Sequence, residues 1–315
     1  MDFHYFFILD LIHDNTMNFI QKQLFKASSK LSSKNTIVSV ELEDGKISDD
    51  ENDLVGYFNE IEGLERKILA VKHADFSGLN DFFSGAYAIS NYMSDSNFSI
   101  LATKELDLPI IGSLLKYLGF VFVNRSGKKE EKKESLDQLI KDIDKNYVVI
   151  APNGSRYPQT QKIGLSLAEK ALLMQSYVIP IGIKHLPEEE KYSMLGRFDE
   201  TFITFKKPDE TYITFGQPIK PPNPKDYIWY DDYGAIADIK TLSNDEIIEN
   251  YHLPDSDTNL PDSDANYEKN KEKMYEYVQD VLIKSCELNG EAIPKSISRT
   301  YEEAGKLIEL KKTLK

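Results

Sequence analysis

Short apolar runs alternate with longer segments of helical periodicity through the middle of the chain. The runs are rich in Val, Ile and Phe and are four to six residues long, which is typical of buried strands. They lie at 68–71, 99–102, 120–123, 147–150 and 178–183. Between them, apolar residues recur at three- and four-residue spacing near 136–143 and 167–172, which indicates helices. The alternation predicts an α/β fold with a layered, mostly parallel or mixed sheet and helices on both faces.

The segments on either side of this pattern differ from it in composition. The first 35 residues have helical periodicity, and the acidic stretch 41–53 is predicted to be an exposed hairpin or loop. The similar strings TFITF at 201 and TYITF at 211 predict a hairpin at one edge of the sheet. The predicted units are an N-terminal helical and acidic extension (1–65), an α/β core (66–225), an acidic linker (226–265) and a C-terminal helical segment (266–315).

Charge and cysteine content narrow the function classes. The formal net charge of −14 would repel a polyanion, so nucleic acid is not an expected partner. Cys286 is the only cysteine of the chain, which excludes an intramolecular disulfide framework and a cysteine-rich zinc site. A reducing, cytoplasmic location fits this usage.

The N-terminal apolar stretch from Phe3 to Ile12 bears on membrane contact. It is interrupted by Asp10 and is far shorter than the ~20 residues that a transmembrane helix needs, so no transmembrane span is predicted. Two interpretations of this segment remain. The helix lies along a membrane surface, or it packs on the protein's own core.

One histidine directly follows a predicted strand. The run KILAVKH ends at His73, and ligands and catalytic groups collect at the carboxyl ends of strands in open α/β sheets. The ordinary pKa of histidine suits proton transfer near neutral pH. His73 is therefore a candidate general base, and the alternative is a histidine with a purely structural role.

Two arginines follow two further predicted strands. Arg125 comes after the run 120–123, and Asn153, Gly154, Ser155 and Arg156 come after the run 147–150. Guanidinium groups match phosphate oxygens, and a glycine lets backbone amides approach a ligand closely. These residues predict an anion site, and the alternative is pairing of the arginines with surface carboxylates.

The order of these features resembles the glycerolipid acyltransferases of the lysophosphatidic acid and glycerol-3-phosphate acyltransferase type. That family has a His-x4-Asp motif, here KHADFSGLND, and a Pro-Glu-Gly-Thr-Arg motif, here PNGSR at 152–156. It also has a Lys-Glu-Leu sequence followed by Pro and Gly and then by a Gly-x-x-Phe-x-x-Arg strand. The corresponding residues here are Lys104, Glu105, Leu106, Pro109, Gly112, Gly119, Phe122 and Arg125. An apolar strand with Pro180 and the string FGQPI at 215 complete a resemblance that extends from about 66 to 222.

The resemblance implies a function and the roles of its residues. It implies transfer of a fatty acyl group from acyl-CoA or acyl carrier protein to a hydroxyl of glycerol-3-phosphate or lysophosphatidic acid, at a membrane surface and without a cofactor or metal. His73 would be the general base. The residues implied for substrate binding are Lys104, Gly119, Arg125, Asn153, Gly154, Ser155 and Arg156.

Two positions depart from the family pattern. Gly78 stands where the family has the aspartate that orients the histidine, and Asp81 or alternatively Asp75 is the predicted substitute. Asn153 stands where the family has a glutamate. A second hypothesis is therefore a catalytically inactive homologue that binds lipid or a protein partner.

Overall fold

The computed structural model describes the parts of the chain that carry the predicted strands. The described residues are 35–72, 88, 91–92, 98–103, 112–113, 116, 119–123, 147–152, 165–186, 209–254 and 263–290. The strands in these ranges are β1 (Asn35–Glu41), β2 (Ile47–Ser48), β3 (Lys67–Val71), β4 (Phe98–Thr103), β5 (Phe120–Val123), β6 (Tyr147–Ile150), β7 (Tyr177–Leu186) and β8 (Glu210–Phe215). The helices are α1 (Glu51–Gly63), α2 (Ser166–Leu173), α3 (Asn244–Asn250) and α4 (Ser263–Glu287), with a 3-10 turn at Pro224–Asp226.

All of these strands belong to one mixed sheet, in the order β2-β1-β8-β7-β3-β6-β4-β5. The five strands β7, β3, β6, β4 and β5 run parallel to one another. The strand β8 is antiparallel to β7 and parallel to β1, and β2 pairs antiparallel with β1. The α/β class and the mixed sheet that were predicted from the sequence are confirmed.

Side chains of β3 alternate between two hydrophobic layers, as the two-residue period of a strand requires. Leu69 and Val71 pack in the layer that contains α1, whereas Ile68 and Ala70 pack in the layer that contains α2 and α4. Both faces of the central strands are therefore covered by helices. This double burial explains why the central strands are apolar runs without polar alternation.

The hairpin predicted in the acidic stretch 41–53 is confirmed for its first part, where β1 and β2 pair antiparallel, and the last residues of the stretch begin helix α1. Asp50 is its N-cap and accepts a hydrogen bond from the backbone of Asn52, and Glu51 and Asp53 lie in its first turn. Acidic residues are favourable there because the helix dipole is positive at its N-terminus. Asp50, Glu51 and Asp53 of the acidic stretch thus belong to the start of a helix whose apolar face is buried in the core.

The described structure differs from the predicted unit boundaries. The strand β1 pairs with β8 inside the sheet, so residues 35–65 are part of the α/β unit rather than an extension. Trp229 is almost fully buried and donates its indole N–H to the Pro224 carbonyl at 2.8 Å. Ile247 of α3 is buried in the same layer as α4. Residues 226–254 are thus folded onto the core, because their scattered apolar side chains are buried despite the acidic composition.

The second string of the predicted edge hairpin, TYITF, lies in β8, which is an inner strand of the sheet and not an edge strand. The strand β8 pairs with β1 on one side and with β7, from Ile181 onward, on the other. Residues 201–205, the N-terminal residues 1–34 and the C-terminal residues 291–315 lie outside the described residues.

Candidate active site

Four parallel strands end side by side at one edge of the sheet. Ala70 of β3 pairs with Ile150 of β6, and Thr103 of β4 pairs with Val123 of β5, while β4 and β6 are themselves neighbours. We call this the C-terminal edge, defined by the last residues of these strands: Val71, Ile150, Thr103 and Val123. Because parallel strands finish at the same edge, the segments that follow them begin close together.

The segments that follow this edge in the sequence hold the predicted site residues. His73 comes two residues after the end of β3, Lys104 directly after β4, and Arg125 two residues after β5. The string from Asn153 to Arg156 begins three residues after the end of β6. The topology therefore brings to one edge four segments that are far apart in sequence.

The side chains of most predicted site residues are not among those that the structure describes. His73, Asp75, Asp81, Lys104, Arg125, Asn153, Gly154, Ser155 and Arg156 all lie outside the described residues. Their contacts and roles stay predictions, whereas the arrangement of the strands that precede them is observed.

Lys72 is a residue of this edge that the sequence interpretation did not single out. Its backbone N–H donates to the carbonyl of Ile181 at 3.4 Å, which extends the pairing of β3 with β7 by one position. The residue is only 6% exposed, which is unusual for lysine. The two-residue alternation of β3 would have pointed to it, because Lys72 follows Ile68 and Ala70 in the inward-facing register of the α2 and α4 layer.

Gly119 requires a correction. It directly precedes β5, so it lies at the opposite end of that strand from Val123 and the C-terminal edge. Its φ of 87° is in the left-handed region that favours glycine, and its backbone N–H donates to the Lys116 carbonyl at 3.0 Å. This turn accounts for the glycine, and the predicted contact with a substrate at the C-terminal edge is not supported.

Two aromatic residues of β5 give one face of this part of the sheet an apolar character. Phe120 and Phe122 have ring centroids 6.4 Å apart and project on the same face as α1. The Lys116 ammonium lies 5.6 Å from the centre of the Phe122 ring, within the range of a cation–π interaction. These residues belong to the largely apolar segment 108–123.

A comparison with protein families matches residues 68–184 to a family described as Acyltransferase. The matched segment begins in β3 and ends in β7, so it contains all four strands of the C-terminal edge. This segment belongs to the acyltransferase family. The family predicted from the order of the sequence motifs is confirmed by the match.

A solved structure is also similar to the chain that carries this acyltransferase segment. It is the crystal structure of the 1-acyl-sn-glycerophosphate (LPA) acyltransferase PlsC from Thermotoga maritima, with 16% sequence identity and a TM-score of 0.38. The similarity covers 64% of the present chain and 68% of that chain. A search of curated proteins gave no match.

Within the described ranges, no group of three or more His, Cys, Asp or Glu side chains is arranged to hold a metal ion. Among the helices of those same ranges, none is both long and apolar enough to cross a bilayer.

Proposed function

We propose that the protein transfers a fatty acyl group from a thioester donor to a hydroxyl of glycerol-3-phosphate or lysophosphatidic acid. The observation that carries the proposal is the acyltransferase match over residues 68–184, whose four parallel strands end directly before the residues suited to this chemistry. Acyl transfer in general follows from the family. The acceptor, the donor and the roles of individual residues are the proposed part.

In the proposed reaction His73 acts as the general base. Its imidazole removes the proton of the acceptor hydroxyl while the oxygen attacks the thioester carbonyl carbon. The C–O bond forms, the C–S bond breaks, and the proton is passed to the departing thiolate. Asp81, or alternatively Asp75, orients the imidazole and stabilises its charged form in place of the aspartate that is absent at Gly78.

The phosphate of the acceptor is the proposed ligand of Arg125 and Arg156. Two guanidinium groups present paired N–H donors that match phosphate oxygens. Lys104 adds positive charge, and Gly154 allows the backbone to approach the acceptor. The Asn153 amide and the Ser155 hydroxyl can each donate and accept hydrogen bonds to glycerol oxygens.

The acyl chain and the membrane complete the proposal. Acyl-CoA or acyl carrier protein supplies the acyl group, and the acyl chain lies against the largely apolar segment 108–123, in which Phe122 is partly exposed. Contact with a membrane surface from the cytoplasmic side is proposed because acylated acceptors and products partition into bilayers.

The direct test is acyl transfer by the purified protein. Glycerol-3-phosphate and lysophosphatidic acid are each supplied with acyl-CoA and with acyl carrier protein, and the labelled product is separated by chromatography. His73→Ala is expected to lower kcat by about 10²–10⁴-fold, the usual size of general-base assistance. His252→Ala is the matched control, because His252 is exposed and bonded to Asp232 on a surface loop.

Substituting each candidate aspartate by asparagine distinguishes which of the two orients His73. Asp81→Asn is expected to lower kcat strongly and Asp75→Asn to leave it within a few fold, since a neutral amide does not stabilise a charged imidazole. The reverse result would assign the orienting role to Asp75. Equal activity of both variants and the parent would remove the orienting aspartate from the proposal.

The departures at Gly78 and Asn153 favour one alternative, a catalytically inactive homologue that binds lipid or a protein partner. Vesicle or lysophosphatidic acid binding without transfer from any donor would support this alternative. Transfer that survives in His73→Ala would contradict the proposed role of the histidine.

A further inference from the structure

The last turn of α4 lies directly on the backbone of β7 at Gly182. A Cβ atom at Gly182 would lie 2.6 Å from the Ser285 carbonyl oxygen and 2.9 Å from the Asn289 Nδ2 atom. It would also lie 3.2 Å from the Cβ of Leu288. The nearest of these atoms belongs to the backbone of the helix, so no side-chain rotation would make room for it. Gly182 is therefore required for the close approach of helix and strand.

Several contacts hold this end of α4 in place. Lys284 forms a 2.5 Å ion pair with Glu41 of β1. The Thr214 hydroxyl of β8 donates to the Asn289 Oδ1 atom at 2.7 Å. Val281 and Leu282 are fully buried in the layer between α4 and the sheet. The end of the helix is thus bonded to β1 and β8, on the side of β7 away from β3. A larger residue at Gly182 would strain these contacts or displace β7.

The other side of β7 supports the strand that precedes the candidate general base. Val71 of β3 pairs with Ile181, and the Lys72 N–H donates to the Ile181 carbonyl at 3.4 Å. Gly182 is the next residue of β7, and His73 is the next residue after Lys72. A shift of β7 at Gly182 would therefore act on the backbone immediately before His73.

We propose that Gly182 is a positioning residue for His73: by lacking a side chain, it lets α4 fix β7, and β7 in turn fixes the end of β3. The inference rests on the proposed function of His73 as general base. It assigns to the C-terminal helix a part in the geometry of the reaction, although α4 lies outside the segment that matches the acyltransferase family.

The first test is the kinetics of Gly182→Ala. The added Cβ forces a displacement of several tenths of an ångström or more at the helix–strand contact, and a misplacement of about 1 Å can lower a rate by about 10²-fold. We expect kcat to fall by about 10–100-fold. The KM for the acceptor is expected to stay within about threefold, because the proposed phosphate ligands follow other strands.

Two glycine variants serve as matched controls. Gly216→Ala places a Cβ 2.9 Å from the Pro180 Cγ and 3.0 Å from the Leu288 Cδ1, so it crowds two side chains, one of them directly after α4, from the β8 side of β7. It is expected to lower Tm while leaving kcat within about threefold. Gly56→Ala has no atom within 4 Å of its added Cβ and is expected to change neither quantity. A kcat loss of equal size in Gly182→Ala and Gly216→Ala would show general destabilisation and would overturn the proposal.

A second readout does not depend on activity. The ring-proton NMR signals of His73, identified by their loss in His73→Gln, are expected to shift in Gly182→Ala and to stay in place in Gly216→Ala. Unchanged His73 signals in folded Gly182→Ala would overturn the positioning role. If the parent protein shows no acyl transfer, the proposed function fails by itself, and these signals still decide whether Gly182 positions His73.

Asn289→Ala covers the case in which Gly182→Ala does not fold. It leaves β7 unchanged and removes the side chain through which α4 is bonded to Thr214. The His73 ring signals are expected to shift in Asn289→Ala, because a contact that holds the end of α4 against the sheet is lost. Signals identical to those of the parent protein would contradict the proposal.

Discussion

At the scale of single residues, the ion pair between Glu41 and Lys284 is an asymmetric contact. The Glu41 side chain is 7% exposed and also accepts the Gln217 backbone N–H at 3.1 Å, whereas the Lys284 side chain is 34% exposed. Glu41 therefore depends on its partners for compensation of its charge, while the Lys284 ammonium can reach water. Removing Lys284 leaves a buried carboxylate without its counter-charge, whereas removing the charge of Glu41 leaves an ammonium group that water can reach.

Lys284→Met is therefore expected to destabilise the protein more than Glu41→Gln. The lysine variant leaves a carboxylate buried without its counter-charge, which we expect to cost about 3 kcal/mol. The glutamine variant keeps an oxygen for the Gln217 N–H and should cost about 1 kcal/mol. Urea unfolding of both single variants and the double variant measures these values, and equal costs would show that burial of Glu41 is not the deciding factor.

Phe58 gives a second prediction at this scale. Its ring packs against Tyr92 at 5.2 Å and against Phe215 at 5.0 Å between centroids, and the side chain is 1% exposed. Phe58→Ala is expected to cost about 3–5 kcal/mol because it leaves a cavity in the α1 layer. Val55→Ala is the control from the same helix, since Val55 is 45% exposed, and it is expected to cost below about 0.5 kcal/mol. Calorimetry or chemical unfolding measures the loss of stability in each variant. Similar losses in Phe58→Ala and Val55→Ala would contradict the observed packing of α1.

At the scale of elements, the sequence predicted best where both faces of a strand are buried. The runs that became β3, β5, β6 and β7 are uninterrupted by charge, so their length and composition alone identified them. The strand β1 was missed because it has polar residues at Ser39 and Glu41, whose partners Thr214 and Lys284 are distant in sequence. A local sequence pattern cannot reveal contacts between residues that are so far apart in the chain. The order of strands at the C-terminal edge likewise follows from tertiary pairing, which the sequence motifs indicated only through their resemblance to a family.

The helix α3 is an element whose start was concealed by acidic composition. Ser243 is its N-cap and accepts from the Glu246 backbone N–H at 3.3 Å, and the Glu246 carboxylate accepts from the Ser243 N–H at 2.8 Å. This reciprocal capping box begins a helix that buries Ile247. The acidic residues that suggested a linker are thus partly helix-start signals.

The capping box predicts a pH dependence. The Ser243 backbone N–H and hydroxyl hold the pKa of Glu246 below its ordinary value of 4.5. A lowered folded-state pKa means that the ionised carboxylate stabilises the fold at pH values above 4.5, and that this contribution is lost as the pH falls through the folded-state pKa. Unfolding curves of the parent protein and Glu246→Gln should therefore differ at pH 7 and converge in acid. A difference that is constant with pH would exclude the carboxylate as its source.

At the scale of the whole molecule, residues from both ends of the described chain complete the unit that holds the acyltransferase segment. The matched residues 68–184 contain β3 to β6 and most of β7, but the layer on one face needs α1 and the layer on the other needs α4. The strands β1 and β8 cover the free edge of β7 from Ile181 onward. The family match therefore covers the strands that lead to the proposed site residues. The stability of these strands depends on residues outside the match.

This dependence predicts which fragments of the protein fold. A chain of residues 66–225 follows the boundaries suggested by the sequence, but it lacks α1 and α4 and exposes apolar residues on both faces of β3 and β7. Such a fragment is expected to bind a hydrophobic dye and to melt without a cooperative transition. A chain of residues 35–290 retains every described strand and helix and is expected to melt cooperatively. Circular dichroism melts of the two fragments test this directly: a cooperative transition in the shorter one would mean that the terminal elements are accessory after all, and that Gly182 lies at a dispensable contact.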